Sequence, residues 1–266
     1  MALTLTPLAG FPLVLPGDDL AGLLSKACQQ TGIEIADNDI FVLASKIVSK
    51  VEGRLVCLSD LTPSASALNL AERSQKDPRL CELILRESRE ILRVRPGTII
   101  VEHRLGFVCA SAGIDHSNIA PPPSSPNPPS TVSRPQPEDW ALLLPENPDR
   151  SALQIRRSIE QATGKRVGVM IIDSHGRAWR IGTVGVCIGL SGLPAIVDER
   201  GWKDLFGREL RITIVGVADE LAAAASLMMG QAAEGTPAVH VRGFPYPLGE
   251  GSLQELLRPR EQDMFR

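Results

Sequence analysis

Several features that mark particular classes of protein are scarce or missing in this chain of 266 residues. Aromatic residues make up only 4% of the sequence, so the stacking surfaces that bind single-stranded nucleic acid are not expected. The 28 Lys and Arg residues against 31 Asp and Glu residues leave a net charge of −3. A charge so close to zero argues against a general attraction to nucleic acid or to a membrane surface.

Motifs that would identify a zinc, redox or common nucleotide site are also absent. The five cysteines form no CxxC pair, and the four histidines have no zinc-binding spacing. Neither a GxxxxGK[ST] phosphate loop nor a GxGxxG fingerprint occurs, so any nucleotide must be bound by another scaffold. The N-terminus lacks a basic signal segment, and no apolar run approaches the roughly 20 residues of a membrane span. We therefore expect a cytoplasmic protein with reduced cysteines.

Hydrophobic residues make up 43% of the chain, enough for an aliphatic core, and the clearest local pattern lies in residues 167–188. There an apolar run is followed by Asp173 and by a predicted turn over residues 174–176. Such a run is typical of a buried strand, so we expect Asp173 to lie just beyond its end. Asp173, Ser174 and Arg177 carry groups that bind divalent cations and phosphates. An ordinary turn that contains Asp is the alternative.

A string of serines and lysines follows the strand predicted over residues 40–44. We interpret residues 45–50 as a continuation of this strand, with Lys46 and Lys50 placed to face phosphate groups. A half-exposed strand with alternating polar side chains is the alternative interpretation. The hairpin predicted over residues 97–112 is followed by Asp115, whose carboxylate is a second candidate cation ligand beyond a strand.

The other predicted elements follow from ordinary capping, periodicity and turn signals. Residues 120–138 are rich in Pro and Ser, which predicts an extended surface loop without a fixed fold. Strands are predicted at 2–5, 211–217 and 238–242. Helices are predicted from 20 to about 32, at 151–163 with Asp149 as its cap, and at 219–230. Residues 64–94 are predicted to form two helices that are broken at Asp77-Pro78, and the second of them is expected to run to about Arg93. A last short helix is predicted to begin at a capping box over residues 252–255.

Taken together and in order, several segments resemble the coenzyme F420-0:γ-glutamyl ligase family. They extend from about residue 10 to about residue 257, which is nearly the whole chain. The resemblance implies an α+β fold of mixed, largely antiparallel sheets with flanking helices, a single ligase-like unit over residues 1–266, and an intertwined homodimer. The segments are SKIVSKVEGR, KDPRLCELILRESREILR, GFVCASAGIDHSN, LLLPENPD, VGVMIIDSHGRAWR, GRELRITIVGVADELAAAASLMMGQ and VHVRG.

The resemblance also implies an activity. By this resemblance the chain is similar to amide-forming ligases that join L-glutamate to the deazaflavin precursor F420-0 in coenzyme F420 biosynthesis. We therefore expect small-molecule substrates, GTP as co-substrate and two divalent cations, Mg²⁺ or Mn²⁺, with K⁺ as a further candidate. Nucleic-acid and membrane partners are not expected. Glutamylation of another carboxylate acceptor such as folate is one alternative, and a non-catalytic nucleotide- or metal-binding protein is another.

The same resemblance places functional roles on particular residues of this chain. Lys46, Lys50 and Arg177 would supply positive charge to the reacting phosphate. No general base is evident, and His116 and His175 are candidates for one by their chemistry rather than by the resemblance. His175 stands where the family more often carries Phe or Asn. The implied metal ligands are Asp115, Asp173, Ser174 and Gln231, the last at a position where some members carry an acidic residue. The implied nucleotide contacts are Phe11, Pro12, Leu13, Val14, Ser45, Lys46, Lys50, Asn118, Met229, Gly230, Gln231, Glu234, Gly235 and Thr236.

Overall fold

The computed structural model describes residues 2–119 and 139–264 of the chain. The described residues group into two compact units by their mutual contacts. The first unit comprises residues 2–13, 19–48 and 147–264, and the second comprises residues 14–18, 49–119 and 139–146. This grouping does not test the expectation of a single ligase-like unit over residues 1–266, which stays a prediction. The loop predicted over residues 120–138 lies outside the described residues.

Strands and helices alternate irregularly along the chain. No helix in the described part is both long enough and apolar enough to cross a membrane. The strands are β1 (Thr4–Pro7), β2 (Ile40–Ala44), β3 (Leu55–Cys57), β4 (Ser88–Arg95), β5 (Thr98–His103), β6 (Val108–Ala110), β7 (Trp140–Leu142), β8 (Gly168–Arg177), β9 (Arg180–Ser191), β10 (Val197–Asp198), β11 (Ile214–Val215) and β12 (Ala238–Arg242). The helices are α1 (Leu20–Thr31), α2 (Ser45–Val51), α3 (Ala65–Ser74), α4 (Pro78–Arg86), α5 (Pro148–Thr163), α6 (Val217–Met229) and α7 (Leu253–Leu256).

The first unit is built on a five-stranded sheet in the order β1-β12-β2-β8-β9. Neighbouring strands are antiparallel except for β2 and β8, which run parallel. Both faces of these two strands are covered, so their apolar runs are nearly continuous. Helix α6 packs its alanines against Met170 and Ile172 on one face, and α5 contacts β8 and β9. This mixture confirms the α+β expectation, whereas the family-specific fold and the intertwined dimer stay predictions.

The second unit contains two small antiparallel sheets. Strand β3 pairs with β7, and β5 lies between β4 and β6. Helices α3 and α4 pack against each other, and α4 also contacts β4. The predicted hairpin, the break at Asp77-Pro78 and the capping role of Asp77 are confirmed, because the Asp77 carboxylate accepts a hydrogen bond from the Arg79 amide.

Two sequence-based assignments in the second unit and at its edge were wrong. The helix predicted to run to about Arg93 ends at Arg86, and residues 88–95 instead form β4, because antiparallel pairing with β5 outweighs the helical spacing of their charges. The string 45–50 is helical rather than extended, and it belongs to α2. The buried residues Ile47 and Val48 show why, since a helix can place both against the protein while a solvated strand edge cannot.

Two smaller assignments also differ from the prediction. Helix α5 begins at Pro148, with Asn147 as the capping residue in place of Asp149, and the Asn147 side chain accepts a hydrogen bond from the Arg150 amide. The strand expected over residues 211–217 is reduced to β11, because α6 already begins at Val217.

A buried ion cluster fixes the start of β2. Asp39 is 0% exposed, and both its oxygens accept hydrogen bonds from the Arg242 guanidinium, at 2.8 and 2.7 Å. The imidazole Nε2 of His240 lies 2.9 Å from Asp39 Oδ2. Burial by itself would raise the pKa of Asp39, but the hydrogen bonds from Arg242 and the close approach of His240 outweigh burial and lower this pKa from 3.8 to about 2. The ionised form therefore stabilises the fold above about pH 4, and this contribution is lost as the pH falls through about 2.

Replacing Asp39 with Asn should lower the free energy of unfolding by about 1 to 3 kcal/mol at pH 7, because the buried carboxylate would lose the charge-assisted hydrogen bonds that it accepts from the partly exposed Arg242. Urea denaturation of the wild-type and D39N proteins measures this difference. The difference should shrink as the pH falls from about 4 to about 2. The exposed Asp60 provides a control, since D60N should change the free energy by less than about 0.5 kcal/mol. Equal stability of D39N and wild type would contradict a stabilising role for the cluster.

Candidate functional site

Strand β8 continues through Asp173, which corrects the expectation that the strand ends before it. The strand reaches Arg177, and the turn lies at residues 178–179 rather than 174–176. Pairing with β9 explains the extra length, because the two strands form one long hairpin. The run of consecutive buried residues nevertheless ends where the apolar run ends, since residues 168–172 are buried and Asp173 is partly exposed. The apolar run therefore predicted where the continuous burial of β8 ends, but it did not predict that the strand pairs with β9 as far as Arg177.

Asp173 is held by two neighbouring side chains. In the parallel register Ala44 lies opposite Ile172, so Ser45 follows next to Asp173, and Ser45 Oγ donates a hydrogen bond to Asp173 Oδ1 at 3.0 Å. His175 lies two residues further along β8, on the same face, with Nε2 3.0 Å from Asp173 Oδ2. Ser45 and His175 are buried, while the Asp173 side chain is 18% exposed. Its carboxylate is therefore anchored yet open to a ligand.

Ser174 belongs to a second polar cluster. Successive side chains of a strand point to opposite faces, so Ser174 lies on the face covered by α6. Its hydroxyl donates to Gln231 Oε1 at 3.0 Å, and Gln231 Nε2 donates to Ser226 Oγ at 3.1 Å. Ser226 was missed by the sequence analysis, although its place on α6, five residues before Gln231, was the available signal. The structure thus joins Ser174 to Gln231 on the opposite face of β8 from Asp173, and the roles of Ser174 and Gln231 as metal ligands stay predictions.

The turn between α6 and β12 has a fixed shape. Gly230 has a φ of +74°, and a Cβ there would overlap the Glu234 side chain. Glu234 in turn accepts the Ala232 amide at 2.8 Å, and backbone hydrogen bonds of this kind lower the pKa of Glu234. The Thr236 hydroxyl donates to the Met229 carbonyl at 3.0 Å. Six of the predicted nucleotide contacts therefore lie in this turn beside Ser174 or at the end of the helix before it. They are Met229, Gly230, Gln231, Glu234, Gly235 and Thr236.

The predicted cationic groups occupy different places. Lys46 lies in the first turn of α2, directly after Ser45, and is partly exposed. Arg177 ends β8, where its guanidinium donates to the Ile181 carbonyl at 3.3 Å. Four residues of strand separate it from Asp173, which corresponds to about 13 Å. The loop of residues 11–14, Phe11, Pro12, Leu13 and Val14, has Leu13 86% exposed and Val14 buried. The functional roles given to these residues stay predictions.

In the second unit, Asp115 is tied to a neighbouring strand. Its backbone exchanges two hydrogen bonds with Leu142, at 3.0 and 2.9 Å. Its carboxylate accepts hydrogen bonds from the Ser117 amide at 2.7 Å and from the Ser117 hydroxyl at 2.8 Å. Lys50 donates from Nζ to the Asn118 carbonyl at 3.0 Å. Within this unit the structure therefore brings together three of the predicted site residues, namely Asp115, Asn118 and Lys50.

The chain enters Asp115 through a strained turn. Ser111, Ala112 and Gly113 have successive φ values of +50°, +54° and +64°. Left-handed conformations cost side-chain-bearing residues about 1 to 3 kcal/mol each and are retained where the surroundings enforce them. Ala112 is fully buried, and a Cβ on Gly113 would lie 2.5 Å from Leu144 Cδ1. Packing therefore imposes this turn and fixes the point from which Asp115 projects.

The donor chemistry at these positions suits a hard divalent cation. Asp173, Ser174, Gln231 and Asp115 present only oxygen donors, which Mg²⁺ and Mn²⁺ prefer. Across the described residues, no group of three or more His, Cys, Asp and Glu side chains is placed to hold a metal ion. The implied ligands include the Ser174 hydroxyl and the Gln231 amide, so they do not require three such side chains in one place. The residues fit a divalent cation by chemistry, and the metal assignment stays a prediction.

Gly185 provides a structural test of the Ser174 cluster. It lies opposite Ser174 in the β8–β9 pair, and a Cβ there would lie 2.5 Å from Ser226 Cβ and 2.6 Å from the Ala222 carbonyl oxygen. G185A should therefore push α6 away and lower the free energy of unfolding by about 1 to 3 kcal/mol in urea denaturation. G176A is the matched control in the same hairpin, because a Cβ there meets no atom within 4 Å. Equal stability of both variants would refute this packing.

Comparison with known proteins adds a family assignment to this geometry. The sequence profile described as F420-0:Gamma-glutamyl ligase matches residues 10–243. A protein of Methanothermobacter thermautotrophicus named coenzyme F420:L-glutamate ligase is 47% identical over 268 residues, covering 100% of both chains. Proteins of the same name from Methanocaldococcus jannaschii and Archaeoglobus fulgidus are 45% and 42% identical, covering 91% and 100% of this chain and 90% and 97% of theirs. The chain belongs to the F420-0:gamma-glutamyl ligase family.

Proposed function

We propose that this protein is a GTP-dependent ligase in coenzyme F420 biosynthesis. It joins L-glutamate, through the α-amine, to the terminal carboxylate of F420-0, and further γ-linked glutamates can follow by the same chemistry. The observation that carries this proposal is the family match over residues 10–243, together with full-length relatives named coenzyme F420:L-glutamate ligase. The anchored Asp173 and the ordered turn that follows α6 are consistent with it.

Amide formation from a carboxylate requires activation. A carboxylate is a poor electrophile, so one of its oxygens first attacks the γ-phosphorus of GTP, which forms an acyl phosphate and releases GDP. The unprotonated α-amine of glutamate then attacks the acyl carbon, forming the C–N bond as the C–O bond to phosphate breaks. The amine loses its proton and inorganic phosphate leaves. One GTP is consumed for each amide bond.

The proposed roles of the residues follow from their chemistry. Asp115, Asp173, Ser174 and Gln231 would hold divalent cations through oxygen atoms. Bound cations would neutralise charge on the phosphate oxygens. Lys46 and Lys50 would add positive charge near the transferred phosphoryl group, and much of the catalytic effect would come from placing the two substrates in line.

Mass spectrometry of F420-0 incubated with the purified protein, L-glutamate, GTP and Mg²⁺ or Mn²⁺ tests the proposed reaction. We expect a product heavier by one or more glutamyl units, formed only when GTP is present, with one GDP released for each unit added. Replacement of GTP by ATP in a parallel incubation tests nucleotide choice. Glutamylation of folate without glutamylation of F420-0 would reassign the acceptor, and absence of product with either acceptor would refute the ligase proposal.

The proposed cation ligands can be tested by isosteric substitution. D115N and D173N should each lower kcat/KM for F420-0 by about 100-fold or more, because an amide removes the negative charge that binds a cation. Both variants should remain folded, since Asn can accept the hydrogen bonds that Ser117 and Ser45 donate. D60N, at an exposed position, should retain full activity. Wild-type activity in either folded site variant would remove that residue from the metal assignment.

A further inference from the structure

The two oxygens of the Asp173 carboxylate are held by two different elements. Ser45, at the start of α2, donates to Oδ1 at 3.0 Å, whereas His175, within β8, approaches Oδ2 with Nε2 at 3.0 Å. A carboxylate can only accept hydrogen bonds, so the histidine nitrogen facing Oδ2 carries the proton. Both oxygens therefore receive a donor, one from each side.

Two donors of this kind fix an otherwise loose side chain. The terminal torsion of Asp has a broad, roughly two-fold profile, so a carboxylate held through one oxygen can still turn about its Cβ–Cγ bond. A donor on each oxygen opposes that rotation and sets the plane of the group. An ionised carboxylate has about four acceptor sites, so two remain after Ser45 and His175 have donated.

The position of His175 makes this contact persistent. As residue i+2 from Asp173 on the same strand, His175 points to the same face, and strand pairing with Val184 of β9 holds its backbone. The ring is buried, being 8% exposed, so it cannot swing away into solvent. A buried imidazole that faces a partly exposed carboxylate resembles the outer-layer hydrogen bonds that orient metal ligands in other proteins.

We propose that His175 is a positioning residue for Asp173, which it orients as a cation ligand through the Nε2–Oδ2 hydrogen bond. This inference rests on the proposed function, in which Asp173 binds a divalent cation. It assigns His175 a role that acts through Asp173, without contact to substrate.

Three substitutions at His175 distinguish the effect of the hydrogen bond on metal binding from the effect of side-chain volume. In H175Q the amide Nε2 is as many bonds from the backbone as the imidazole Nε2, so the donor is retained. In H175N the amide nitrogen is one bond shorter and falls short of Asp173. In H175L the apolar volume is retained and the donor is lost. Circular dichroism and thermal unfolding establish that each variant is folded.

The deciding measurement is the dissociation constant for Mn²⁺ alone, obtained from the electron paramagnetic resonance signal of free Mn²⁺ in titrations of each purified variant. Loss of an outer-layer hydrogen bond typically weakens metal affinity by 10- to 100-fold. We expect H175L and H175N to bind Mn²⁺ at least about 10-fold more weakly than wild type, and H175Q to bind within about 3-fold of it. If His175 had only a structural role, the Mn²⁺ affinity of the three variants would instead follow their stability.

The outcomes distinguish failure of this inference from failure of the proposed function. If D173N loses Mn²⁺ affinity while folded H175L keeps that of wild type, Asp173 is a ligand and the positioning role of His175 is refuted. Equal weakening in H175Q and H175L would also refute it, because the retained donor would have no effect. If D173N binds Mn²⁺ as wild type does, or wild type binds none, both the cation role of Asp173 and the inference that rests on it fail.

Discussion

Parallel pairing between β2 and β8 sets side by side two segments that are far apart in the chain. Ser45 and Asp173 are separated by 128 residues, yet their side chains meet at 3.0 Å because Ala44 lies opposite Ile172 in the register. A slip of one residue would move every side chain of β8 to the other face and would separate this pair. The polar group at the edge of the core therefore depends on the buried strands, whose apolar runs fix that register.

Strand β2 connects two polar clusters at its opposite ends. Asp39 precedes it and is locked to Arg242 and His240, whereas Ser45 follows it and contacts Asp173. In the first cluster Asp39 and His240 are buried while Arg242 is partly exposed, and the ion pair formed within the protein anchors the strand. The second is partly exposed and remains open to a ligand. The same strand thus carries structural stability at one end and the candidate site at the other.

The second unit presents Asp115 by a different physical means. There the backbone is held in left-handed conformations at Ser111 and Ala112, which a free peptide would rarely adopt. Buried packing and the paired backbone of Leu142 maintain this conformation. Strain kept in place by surrounding structure is characteristic of functional positions, because it aims a side chain that an unstrained turn would direct elsewhere.

Local signals in the sequence determined the elements that short-range physics controls. The caps at Asp77 and Gly32, the hairpin before Asp115 and the point where β8 leaves the core all follow from neighbouring residues, and the ordered motifs indicated the family. Only the tertiary structure decided that residues 88–95 form a strand, that residues 45–50 form a helix, and that Asp173 and Ser174 serve different polar clusters. Residues 88–95 pair with the adjacent strand β5, whereas Ser45, Asp173 and Ser174 contact residues distant in sequence. In each case the pairing or packing is set by the free energy of the whole fold rather than by local propensity.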